Sequence, residues 1–181
     1  MRISEPNHPD AEDLRRLFSR LRGAAISSFS EAEFAMGDVL SAMERTGNFD
    51  DVRFCYPVEK RVKAFRKVCL KNAADEEIIE RIEWATNGFE SVINDRNSLA
   101  HGAAELFPSK RIVEVLKFSP KKDDSHFISK STYDLETMED NVKEFDRISR
   151  TIIGLSWSLA ISLGLVENKN SSSRIYIAEK Q

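Results

Sequence analysis

Five apolar residues, Ile78, Ile82, Ala85, Phe89 and Val92, recur at steps of four, three, four and three. That is the repeat of a single buried helical stripe, and it constrains the middle of the chain more than any other feature. Continued by four and then three residues, the stripe lands on Arg96 and Leu99. An arginine on an apolar face needs an acidic, anionic or carbonyl partner, because an unpaired buried cation is costly. Glu33, set within the apolar stretch of the first helix, is a candidate for that partner. His101 stands four residues beyond Asn97, so the two are neighbours on a continuing helix. Gly102 follows, where a left-handed C-terminal cap is expected to end the helix.

The same periodicity organises the flanks. Asp10 is placed to cap a helix with the stripe Leu14, Leu17, Leu21 and Ala24, resuming through Phe29, Ala32, Met36, Leu40 and Met43. Gly23 and Ser27-Ser28-Phe29-Ser30 leave room for one kinked helix or two in tandem, and we favour one long helix ending before Gly47-Asn48. Tyr56-Pro57 favours a new start, with Val58, Val62, Phe65 and Cys69 as the inner face. Lys60, Arg61, Lys63, Arg66, Lys67 and Lys71 are assigned to its outer face. This basic run has two readings: a solvated face, or a surface that tracks phosphates. Phe54, Tyr56 and Phe107 flank it and the 96–101 segment, either as core plugs or as platforms for unpaired bases.

Asp75 is suited to cap the helix that carries Arg96. Beyond Gly102 the period changes. Ile112, Glu114, Leu116 and Phe118 alternate with Val113, Val115 and Lys117, which predicts a strand. Turn residues occupy 119–125, and 126–131 supply a returning strand. Asp134 or Thr132 then caps a final helix with the stripe Leu135, Met138, Val142, Phe145, Ile148, Ile152, Leu155, Leu159 and Leu163. The expected organisation is a flexible arm over residues 1–9, a helical domain over 10–166 and a mobile tail over 167–181. The expected class is mainly all-α, an antiparallel helical bundle with a small β-hairpin insertion near residues 110–131.

Composition narrows the function classes. A chain of 181 residues suits one domain. Its net charge of −3 advertises no global field for nucleic acid, so RNA contact must rest on a local patch. Two cysteines, Cys55 and Cys69, are too few for a disulfide framework and suit a cytoplasmic protein. His8, His101 and His126 are scattered, and neither a metal nor another cofactor is expected. Gly154–Val166 is too short to cross a bilayer, so no membrane association is expected. Ser98 beside His101 lacks the surroundings of an activated nucleophile.

The segment Arg96-Asn97-Ser98-Leu99-Ala100-His101, on the last turns of a helix, resembles the R-x4–6-H signature of HEPN domains. A polar residue often follows the arginine in that family. The resemblance covers the motif and the helical layout of roughly residues 10–165. It implies an all-α domain, commonly a homodimer, and a metal-independent endoribonuclease in a toxin–antitoxin or antiviral (phage-defence) setting. His101 would then be the acid or base, Arg96 the cation for the phosphorane, and Asn97 the residue that positions one of them. The implied partners are single-stranded RNA, a second copy of the chain, and an antitoxin or other regulatory protein. Two other readings stay open. One is a non-catalytic module of the same type that binds RNA or protein. The other is a helical assembly protein whose basic 60–71 face meets an acidic partner.

Overall fold

The computed structural model describes residues 1–166 apart from 48, 50, 51 and 121–125. The expected tail at 167–181 and the tip of the turn at 121–125 lie outside these described residues. The class differs from the all-α bundle expected above. Among the described residues, five α-helices, α1 (Ala11–Thr46), α2 (Val58–Lys71), α3 (Glu76–Ser91), α4 (Ile93–His101) and α5 (Leu135–Ser162), accompany four strands. These are β1 (Arg2–Ile3), β2 (Ala103–Phe107), β3 (Ile112–Pro120) and β4 (His126–Asp134), in one sheet of order β1-β2-β3-β4. The first pair is parallel and the other two are antiparallel. The chain is therefore mixed α and β rather than a helical bundle with a hairpin appended.

Two elements account for the difference. Residues 1–9, expected as a loose arm, enter the sheet: Arg2 and Ile3 pair with Glu105 and Leu106. Both the backbone N–H and the Oγ–H of Ser4 donate to the Leu106 carbonyl at 2.9 Å. Residues 103–107, which carry no strand pattern in the sequence, form a strand whose Ala104 and Leu106 are buried in the core.

The chain divides into two compact units, to both of which α1 and α5 contribute. The first comprises Met1–Phe29 and Ser91–Asp146. Its core joins Leu14, Phe18, Leu21 and Ala25 of α1 to Leu99, Ala104, Leu106, Val113, Val115, Leu135 and Met138. The buried register of α1 thus uses Phe18 and Ala25, while Leu17 is only half-buried and Ala24 is exposed. Asp134 caps α5, accepting from the N–H groups of Glu136 and Thr137 at 3.1 and 2.9 Å.

The second unit comprises Ser30–Glu90 and the chain from Arg147 onward. Met36, Leu40 and Met43 of α1, Val62 and Phe65 of α2, Ile82, Ala85 and Phe89 of α3, and Ile152 of α5 are all buried there. α1 is one helix of 36 residues, closed by Gly47 in the left-handed conformation at φ 65°. α2 starts directly after Pro57, and Asp75 caps α3 by accepting from the Ile78 N–H at 2.9 Å. A Cβ on Gly88 would lie 2.7 Å from Ile148 Cδ1, so a larger residue there would require the Ile148 side chain to shift.

Candidate functional site

α4 is a separate short helix rather than the uninterrupted end of the 78–99 stripe. Val92 leaves the helical region at φ −98°, ψ 1°, and α4 restarts at Ile93. Ile93, Ser98 and Leu99 form its buried side. Arg96 and Asn97 are half-buried, and His101 is exposed as the last residue of the helix.

The arginine is held by neighbours in its own unit. Its guanidinium lies over the Phe29 ring, 4.8 Å from the centroid, and Nη1 donates to Asn97 Oδ1 at 3.0 Å. A guanidinium over an aromatic face keeps its charge while burying one side of its plane. Asn97 therefore sits between Arg96, to which it is bonded, and His101, one helical turn further on.

Gly102 does end α4, for a reason other than the one expected. Its backbone is extended, at φ −85° and ψ 152°, with its N–H donating to Ser98 O at 2.8 Å. A Cβ there would meet Val115 Cγ1 at 2.2 Å and the Ser98 carbonyl at 2.6 Å. The glycine is required by the close approach of β3, not by a left-handed turn.

Three further residues fix α4 and were missed in the sequence. Tyr133, on β4, donates from its hydroxyl to Asp95 Oδ1 at 3.2 Å. Burial first, and then the Asp95 charge, pushes the Tyr133 phenol up to about 12, so it stays a hydrogen-bond donor. Arg22 of α1 donates from Nη2 to the Ala100 carbonyl at 3.3 Å, at the other end of the helix. Phe29 supplies the aromatic surface under Arg96. No local spacing links 22, 29 or 133 to a segment near residue 95; only the tertiary fold does.

The basic run on α2 separates into two groups. Arg61 is buried, contrary to its assignment to the outer face. Its Nη1 donates to Glu33 Oε1 at 2.9 Å, Nε to Cys55 O at 3.0 Å and Nη2 to Tyr56 O at 2.9 Å. Glu33, expected as a partner for Arg96, is thus ion-paired with Arg61. Arg66 is half-buried, donating to Thr86 Oγ1 at 2.7 Å and Glu90 Oε2 at 2.8 Å. Neither arginine belongs to a surface open to phosphate. Lys60, Lys63, Lys67 and Lys71 remain exposed on α2.

Phe107 is half-buried with the Lys110 ammonium 5.9 Å from its ring centroid, whereas Tyr56 is 86% exposed. Among the described residues, no group of three or more His, Cys, Asp or Glu side chains is placed to hold a metal ion. No helix among them is long and apolar enough to cross a membrane. No family model, curated protein or solved structure matches the chain.

Proposed function

We propose that the chain is a metal-independent endoribonuclease of the HEPN type, with its chemistry on the last two turns of α4. The observation that supports this most is the Arg96–Asn97 hydrogen bond at 3.0 Å, with the exposed imidazole of His101 one turn beyond. In the reaction, the 2′-hydroxyl of the substrate attacks the adjacent phosphorus and loses its proton to a base. The P–O5′ bond breaks, and the departing 5′-oxygen takes up a proton from an acid. The products are a 2′,3′-cyclic phosphate and a 5′-hydroxyl. An imidazole is the natural carrier for either proton near neutral pH. Arg96 supplies permanent charge to the phosphorane oxygens. The Asn97 amide, its oxygen engaged by Arg96, offers its N–H groups to the phosphate or to His101. A second copy of the chain would contribute the second imidazole, so the base and the acid come from two protomers. A toxin–antitoxin or phage-defence role, with a regulatory partner, is the setting that fits such an activity.

A second reading is favoured by one observation: Arg96 is half-buried and stacked on Phe29. That is also how an arginine would sit in a non-catalytic module that binds RNA or protein. A cleavage assay separates the two. Labelled single-stranded and structured RNAs are incubated with the protein in EDTA, alongside folded His101→Ala, Asn97→Ala and Arg96→Lys variants. Cleavage with a cyclic-phosphate end is expected, falling about 10²- to 10⁴-fold in His101→Ala. Cleavage that survives in that variant, or none by the wild type, overturns the nuclease reading.

A further inference from the structure

We propose that the solvent-facing side of α2, with Tyr56 at its N-terminal end, is a binding surface for single-stranded nucleic acid. The surface lies within the second unit and stands independently of the chemistry assigned to α4.

The lysines have a regular arrangement. Lys60, Lys63, Lys67 and Lys71 follow at steps of three, four and four, and all four are exposed. At 100° per residue they fall within an arc of about 80°. The buried residues Val62, Phe65, Val68 and Cys69 occupy the opposite side of the helix. At 1.5 Å per residue the row is about 16 Å long. Glu59 is the one acid of α2, and it stands on the flank of the row. The two arginines of the run are turned inward and bound by Glu33 and Glu90, so the exposed cations of the run are its lysines. Point charges on flexible stems suit a phosphate chain of variable path, where no fixed bidentate geometry is needed.

The aromatic end is built rather than incidental. Arg61 bonds the carbonyls of Cys55 and Tyr56 and lies over the Phe54 ring at 4.9 Å. Phe54 in turn braces Tyr56 edge-on, with centroids 5.2 Å apart and planes at 86°. The Tyr56 ring is thus held in place from behind while 86% of the residue faces solvent. A braced, solvated aromatic ring two residues before the first residue of a cationic helix is the combination that takes unpaired bases, whose faces a duplex hides. At about 3.4 Å per stacked nucleotide, the row spans about five phosphates.

The test uses the full chain and a fluorescein-labelled octathymidylate, whose lack of 2′-hydroxyls makes binding readable whether or not the chain cuts RNA. Four neutralised phosphates on a single strand predict a slope of log affinity against log salt of about −2.8, or about a 50-fold loss from 50 to 200 mM salt. Lys63→Gln with Lys67→Gln halves that slope. Tyr56→Ala weakens binding about 5- to 150-fold with the slope unchanged, and Tyr56→Trp restores it. A duplex of the same length is indifferent to Tyr56. The proposal is overturned if the oligonucleotide does not bind, if the lysine variant keeps the wild-type slope, or if Tyr56→Ala binds equally well. Equal dependence on Tyr56 for heparin, which has no bases, would overturn it too. The probe cannot be cleaved by 2′-hydroxyl attack, so failure of the nuclease reading leaves this result intact.

Discussion

Three hydrogen bonds and an aromatic ring converge on the guanidinium of Arg61, the one charged residue buried among the described residues. Replacing it by leucine leaves the Glu33 carboxylate without this cation and frees the carbonyls of Cys55 and Tyr56. Removing one partner of a sequestered ion pair costs more than the pair contributes, and a loss of about 3 kcal/mol in urea unfolding is expected for Arg61→Leu. Arg61→Lys should recover only part of it, because an ammonium cannot reach three diverging acceptors. A loss no larger than that of Lys60→Gln would show that the cluster is not structural. The position was partly legible in the sequence. Arg61, Phe65, Val68 and Asn72 stand four, three and four apart, so a stripe through Phe65 passes through the arginine as well. Reading the run by charge alone placed Arg61 with the lysines. Arg66 could not be sorted this way, since its partners Thr86 and Glu90 lie on another helix.

Among the α-helices, α4 is the one least supported by its own sequence: nine residues are too few for a helix to persist unaided. Contacts at both ends compensate, from Tyr133 to Asp95 and from Arg22 to Ala100. The tyrosine gives this clamp a pH signature. A folded phenol raised to about 12, against an ordinary value near 10, holds its proton more tightly in the folded state. Its contribution is therefore complete below pH 10 and is lost as pH rises from 10 toward 12. Tyr133→Phe should be less stable than wild type at pH 8, yet lose less further stability between pH 10 and 12. Parallel curves for the two proteins over that interval would exclude Tyr133 as the titrating group. The Arg96–Asn97 contact needed only adjacency, and the helix around it was visible in the 78–99 stripe. The interruption at Val92 was not, because a single non-helical residue leaves the apolar spacing intact. Strands β3 and β4 were legible through alternation. β2 was not, since Ala103-Ala104 has weak strand preference and follows directly on the glycine that ends a helix.

For the whole chain, the difference between a helical bundle and a mixed fold turns on residues that are far apart in sequence. Two residues cannot announce a strand; Arg2 and Ile3 become one only because β2 presents an edge. Deleting residues 1–5 removes both Ser4 hydrogen bonds to Leu106 along with the β1–β2 pairing. A loss of about 2 kcal/mol is expected in urea unfolding, and about half of it for removal of the hydroxyl alone in Ser4→Ala. Unchanged stability in the truncated protein would mean that the β1 pairing contributes nothing net. The same pairing has a consequence in time. Ribosomes add about 5 to 20 residues per second, so Arg2 is made some 5 to 20 seconds before Glu105, beside which it must lie. Over that interval Leu14, Phe18 and Leu21 have no β2 or β3 to cover them. Until those strands emerge, the nascent chain carries an uncovered apolar stripe, so the first helix waits on residues made much later for its final packing.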